Sequence, residues 1–342
     1  MKLHEALEQH DLGLLESLIK KGADVNELDY DEEEHVYETP LIRACRFKFV
    51  QGIACLIRHG ASIHPKQRRF EPPVYPLFVA ISAHSLESVS LLLDHGADVN
   101  PAREDNADTP LHCAVFYDQM DICKELVKRG ANLHARNQYG NMPFHYCFIP
   151  RRVHFLEFFF KHDPTLLRAQ TKDGWLPVHL ATHADILSCC IRFGANVRET
   201  GGCIGATALH RACEYNYDAN LLPILVEHGA NVNDADMYGN TPFSLLWDYY
   251  PNLIVTPNIG KMRYLLTQGA IPRTNIAALA LQYDDVFIPE RCVSMERWQR
   301  IYKANACIQL LVACKRIQRF GAGCVLDLLP LELFRVLHTF LR

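Results

Sequence analysis

Asp108-Thr109-Pro110-Leu111-His112-Cys113-Ala114, Ile122-Cys123-Lys124-Glu125-Leu126-Val127, Lys128-Arg129-Gly130-Ala131-Asn132-Leu133-His134 and the turn Gln138-Tyr139-Gly140-Asn141 decide the fold. They read as a short helix, a tight turn, a second amphipathic helix, a left-handed stop and an extended finger. Thr109 is placed to cap orphan amides, and Pro110 suits the first helical turn, where its missing N–H costs nothing. Leu111, Ala114 and Val115 fall on one face, and so do Ile122, Leu126 and Val127. Gly130 supplies the positive φ that ends the second helix, whose negative pole is met by Lys128 and Arg129. Neither helix buries its apolar face alone, so the unit requires neighbours.

The stop pair Gly-Ala recurs at Gly22, Gly60, Gly96, Gly130, Gly194, Gly229 and Gly269, at intervals of 38, 36, 34, 64, 35 and 40 residues. The long interval holds two units, the missing stop falling near Asp163 in Lys161-His162-Asp163-Pro164. Asp tolerates the left-handed conformation, so a worn stop is expected there. A period near 33 with two helices per unit marks a stacked solenoid. Thr-Pro-Leu-His at 109–112, Gly-Ala-Asp-Val-Asn at 22–26 and 96–100, Gly-Ala-Asn-Val-Asn at 229–233 and Tyr-Gly-Asn-Thr-Pro at 238–242 resemble the ankyrin repeat. The resemblance covers roughly residues 2–285. It implies an all-α solenoid of about eight to nine helix-turn-helix repeats over residues 1–285. A short C-terminal helical module is expected over 286–342.

The 342 residues carry a net charge of −4. That balance argues against nucleic acid as the partner. No run of 18 apolar residues occurs, and Met1-Lys2-Leu3-His4-Glu5 lacks a signal-peptide layout, so membrane insertion is not expected. The 13 cysteines lack framework spacing, and many recur inside helices, as Cys45, Cys113 and Cys213 in first helices and Cys55, Cys123 and Cys190 in second ones. No Asn-X-Ser/Thr acceptor is present. The expected address is a reducing compartment, the cytoplasm or nucleus, or a host cytosol for a pathogen effector.

Along the chain, the first unit opens inside a helix at Leu3, its second helix running from about Leu12 to Lys20. An acidic insert, Asp29 to Glu34, reads as a solvated loop before Thr39-Pro40-Leu41, and Pro65 to Pro73 forms a basic finger. In the fifth unit Phe155, Phe158, Phe159 and Phe160 crowd the second helix and read as core. In the sixth, Pro177 stands 17 residues before its stop against 20 from Pro110, a deletion that shortens the first helix or its loop. Trp175 falls at a finger-tip position. In the eighth, Tyr249 to Asn258 reads as a protruding loop, followed by a helix at Asn275 to Gln282.

No phosphate-binding Gly-rich loop, His-Glu-X-X-His, Gly-X-Ser-X-Gly or Cys-X-X-Cys occurs, so no enzyme, cofactor or metal site is expected. His112, His145, His179 and His210 hold the Thr-Pro-Leu-His position, which in ankyrin proteins buttresses the finger. His59, His95 and His228 precede stop glycines. His179 and His183 share a helical face without a Cys or acidic partner to complete a metal set.

A binding protein therefore remains. First-helix ends and finger tips present Arg46, Phe47, Lys48, Tyr117, Asp118, Tyr139, Trp175, Tyr215, Tyr238 and Trp247 in a row, with the residue types that dominate interfaces. The tail offers a second surface. Leu310 and Cys314, then Leu328-Leu329-Pro330-Leu331 and the closing Leu337 to Leu341, resemble the SOCS box that recruits elongin and cullin, with Leu333 and Phe334 between them as further ligase-core-binding candidates. Gln309 and Gln318 depart from that pattern. The same Leu329 to Leu337 also resembles the opening of an F-box, which binds the Skp adaptor. Either resemblance implies a substrate-recognition adaptor of a cullin-type ubiquitin ligase. The alternative is an ankyrin scaffold or inhibitor whose tail is a capping helix pair. Asn100 and Asn233 resemble sites that asparaginyl hydroxylases modify. A monomer is expected in the absence of partners.

Overall fold

The structure is a computed structural model that describes residues 3–31, 36–64, 75–215, 218, 220–248 and 256–271. The second half of the acidic insert, the basic finger, residues 249–255, the helix expected at Asn275 and all tail residues from Leu310 to Leu337 lie outside the described residues, as does the side chain of Trp247. The chain divides into Met1–Gln268 and Gly269–Arg342, so the described elements belong to the first unit, and the boundary expected after residue 285 lies outside the described residues.

Helices succeed one another in pairs: α1 (Leu3–Glu8) with α2 (Leu12–Lys20), α3 (Pro40–Arg46) with α4 (Val50–Arg58), α5 (Pro76–Ser82) with α6 (Leu86–Asp94), and α7 (Pro110–Phe116) with α8 (Met120–Lys128). Next come a 3-10 helix (Pro143–Cys147) with α9 (Val153–His162), α10 (Pro177–Leu180) with α11 (Ala184–Arg192), α12 (Ala208–Glu214) with α13 (Leu221–Glu227), and α14 (Pro242–Asp248) followed by α15 (Thr256–Thr267). Because α15 already begins at Thr256, the loop expected to extend through Asn258 ends earlier. First helices pack on first helices and second on second, α1 on α3, α3 on α5, α5 on α7, and α2 on α4 on α6 on α8. Each layer thereby completes the apolar face that a single pair leaves open.

Strands are few. β1 (Asp29–Asp31) pairs antiparallel with β2 (Val36–Glu38), and β3 (Thr200–Gly201) with β4 (Ala206–Thr207). The acidic insert is thus in part the first arm of a hairpin, where a plain loop is the expectation from composition. Its partner arm carries Glu38, which is fully buried and faces Arg43 and Arg46.

Every pair starts and stops by its own local chemistry. Thr109 N–H and Oγ1 lie 3.1 and 2.9 Å from His112 Nδ1, and the other ring nitrogen, Nε2, lies 3.0 Å from the carbonyl of Asn141 in the next finger. With Nδ1 accepting, Nε2 carries the proton and donates to that carbonyl. Thr207, His210 and Asn240 repeat the arrangement, and His179 donates to Glu199 at 3.0 Å. Burial draws the pKa of His112 and His210 down and takes those of His145 and His179 to about 4, which holds all four neutral. At the other end, His59, His95 and His228 turn Nδ1 back to the carbonyl four residues earlier, at 2.8 to 2.9 Å. His162 does the same to Phe158 at 2.8 Å, although the residue after it is Asp163 and not glycine.

Asp163 is a correction. It is extended (φ −147°, ψ 97°), not left-handed, and its carboxylate caps the 3-10 turn Pro164–Arg168 by accepting from Thr165 N–H at 2.9 Å. The proline that follows explains the change, since it disfavours helical backbone in the residue before it. The shortened first helix of the sixth unit is present: α10 has four residues where α7 has seven. Phe155, Phe159 and Phe160 are fully buried, the last two beside Phe144, and Phe158 is half-buried.

Candidate protein-binding face

The turns between paired helices set the register of one face. In the first four pairs the turn closes on a residue at positive φ, His10 (54°), Lys48 (57°), His84 (56°) and Asp118 (60°), so the preceding side chain is held at the helix end. Phe47 and Lys48 are exposed there, while Arg46 is half-buried and paired with Glu38. Tyr117 is half-buried between His84 (5.9 Å) and Phe116 (5.3 Å), and Asp118 is exposed 3.8 Å from Arg152. Phe116, which the sequence pattern does not single out, is 58% exposed and meets Tyr146 edge-on at 6.0 Å. A helix-end phenylalanine facing solvent is the signal that could have found it.

The carbonyls left open at these helix ends are covered from the neighbouring unit. Gln119 Nε2 donates to Ile81 O at 2.7 Å, Arg152 donates to Val115 O and Phe116 O at 2.9 Å each, and Lys261 donates to Ala212 O and Tyr215 O at 2.8 and 2.9 Å. Lys261 is buried, and burial lowers its pKa. These residues lie 36 to 49 positions from their acceptors, so no local pattern announces them.

Fingers are joined tip to tip by backbone bonds, Gln138 N–H to Asn106 O at 2.9 Å, Gly202 N–H to Gly174 O at 3.0 Å and Met237 N–H to Ile204 O at 2.9 Å. Tyr139 and Tyr238 stand at equivalent tips, 59% and 75% exposed, and Met237 is 77% exposed beside Tyr238. Trp175 differs from the finger-tip expectation. It is half-buried, its indole 2.5 Å from where a Cβ on Gly202 would stand and 4.4 Å from the Arg211 guanidinium, which also lies 4.4 Å from the Tyr215 ring. Tyr215 itself is exposed.

Behind this face, side chains bridge successive stops. Asn26 Nδ2 donates to Gly60 O and its Oδ1 accepts from Ser62 N–H; Asn100 does the same with Gly130 O and Asn132 N–H. Asn100 is exposed and Asn233 half-buried. The nine described cysteines are free, and all except Cys203 are buried, several with thiol pKa raised by burial. Among the described residues no helix is long and apolar enough to cross a membrane.

The family described as "Ankyrin repeats (3 copies)" matches residues 3–103, 65–137 and 145–236. The p105 subunit of nuclear factor NF-kappa-B from Gallus gallus is 29% identical over 46% of this chain and 17% of its own length. An ankyrin repeat protein of fowlpox virus is 33% identical over 39% of this chain and 37% of its own. One from Acanthamoeba polyphaga mimivirus is 24% identical over 84% of this chain and 36% of its own. The chain thus spans well under half the length of each of these relatives.

Proposed function

Because the chain belongs to the ankyrin-repeat family, a class of protein–protein interaction modules, we propose that it is a substrate-recognition adaptor of a cullin-type ubiquitin ligase. In this reading eight to nine repeats grip a target on the face of first-helix ends and finger tips. The tail, with Leu310, Cys314, Leu329, Pro330, Leu331, Leu333, Phe334 and Leu337, recruits elongin–cullin or Skp–cullin subunits. The protein works in the cytoplasm, as a monomer until it meets these partners, and carries out no reaction itself.

The observation that carries the target-binding half is the pair of tip residues Met237 and Tyr238, each about three-quarters exposed. Large apolar side chains on rigid, mutually bonded fingers are what a partner surface covers. The sequence of residues 329–337 carries the ligase half. Affinity purification of the full chain, with and without residues 320–342, tests it. Cullin-complex subunits should be recovered with the full chain and lost with the shortened one. Recovery of neither elongin–cullin nor Skp–cullin subunits eliminates the adaptor role and leaves a scaffold.

A further inference from the structure

Most of the described arginines have an answering group. Arg43, in α3, stands directly after the position that His210 occupies in α12, and so does Arg211 in its own helix. Arg43 lies 2.6 Å from Glu8 and 3.8 Å from Glu38. Arg211 has no carboxylate and no carbonyl within bonding distance among the described residues. It is flanked instead by the rings of Trp175 and Tyr215, each centroid 4.4 Å from Cζ. Its Nε is buried and unbonded, whereas the two Nη groups are not closed off from solvent.

This is a guanidinium whose orientation is fixed before anything binds. Contact with the faces of two aromatic rings restrains the side chain and leaves its Nη N–H groups to solvent. Trp175 cannot swing away over the hairpin, because Gly202 already lies against its ring. The cation nearby offers no competing donor, since Lys261 is committed to the carbonyls of Ala212 and Tyr215. Beside it His179 is neutral.

We infer that Arg211, held by Trp175 and Tyr215, is a receptor for one carboxylate side chain, Asp or Glu, of a bound protein segment. A planar fork with a single charge matches a carboxylate through two parallel N–H···O bonds. A phosphoryl dianion asks for a second cation, and among the described residues none is free beside this one. The Arg43 site shows the same helix position satisfied by carboxylates from within the chain; at Arg211 that carboxylate comes from the partner. The inference rests on the protein-binding reading above and specifies what that face selects.

The test uses the full chain and a library of short random peptides displayed on phage. Enriched peptides are resynthesised with single Asp→Asn or Glu→Gln changes, and Kd is measured by fluorescence anisotropy against wild type, Arg211→Met and Arg211→Lys. An acid should recur at one fixed position, and its amide replacement should weaken binding about tenfold or more on wild type. On Arg211→Met the same replacement should have almost no effect. Arg211→Lys keeps the charge and loses the fork, so it should retain only part of the preference. If Arg211→Met does not fold, judged by its thermal transition, the Arg211→Lys comparison decides alone. Peptides without a fixed acid, or an acid preference undiminished in the variants, overturn the inference and leave the binding face standing. Failure to enrich any peptide overturns both.

Discussion

His134 Nε2 lies 2.6 Å from Oδ2 of Asp163, across the joint between the fourth and fifth units. His134 stands where Asn26 and Asn100 stand in their units, and those asparagines bridge to Gly60 and Gly130. Where the next stop is Gly60 or Gly130, the bridging residue is an amide that reads backbone, and at Gly229 the guanidinium of Arg198 does so; where the stop is Asp163, the bridging residue is an imidazole that reads a carboxylate. The two departures from the repeat pattern answer each other. Separate replacement by His134→Asn and Asp163→Gly should each destabilise the fold, and urea titration of the double variant should show non-additivity of about 0.5 kcal/mol. Raising salt should shrink that coupling, since both groups reach solvent. Strict additivity would show the pair to be idle.

Acidification should unfold this protein by way of its buried histidines. His179 and His145 fall from the ordinary 6.5 to about 4 because burial disfavours the charged ring. Between those two values the unfolded chain binds protons that the folded chain refuses, so stability declines as pH falls through that window and flattens below it. The loss is at most about 3 kcal/mol for each histidine. Urea midpoints from pH 7 down to 4 provide the check, with His179→Gln expected to make the decline shallower.

Gly202→Ala should be costly for two reasons that act together. Gly202 has a φ of +70°, and a Cβ there would lie 2.5 Å from the Trp175 ring. A loss of about 2 kcal/mol is expected, read from thermal or urea unfolding. Gly22→Ala, at a φ of +93° with open space around it, would suffer only the backbone penalty, and serves as the comparison.

Exposed and packed aromatics should separate cleanly. Tyr238→Ala, at a tip, should leave the melting temperature nearly unchanged and weaken capture of targets. Trp175→Ala should lower stability by about 1–3 kcal/mol, because the indole is packed between Gly202 and Arg211. A large melting shift in Tyr238→Ala would place that residue in the core and remove it from the binding face.

Thiol labelling reads the same distinction for cysteine. Cys203, exposed at the β3–β4 turn, should react first among the described cysteines, and mass spectrometry of iodoacetamide-treated protein would locate the label. Cys113 and Cys213, whose thiols burial raises to about 11 and about 12, should react only on unfolding. Early labelling of Cys213 would mean that the α12 layer opens under native conditions.

The order of helices was written in the sequence by itself, because caps, stops and apolar spacing act within a few residues of one another. Thr109 with His112, Gly130 after Arg129, and the shortened run after Pro177 each specify their own turn of backbone. Asp163 departs from the left-handed stop for a local reason as well: Pro164 outweighs the tolerance of aspartate for positive φ. What only the tertiary structure decided are the contacts between units. Arg152 covering the end of α7, Lys261 covering the end of α12, and Arg211 meeting Trp175 all join residues separated by 36 or more positions. Stacking brings such residues together, and the spacing of a single unit says nothing about which side chain of its neighbour will stand opposite. The helical hairpins are therefore legible one at a time, while the face they form exists only once they are stacked.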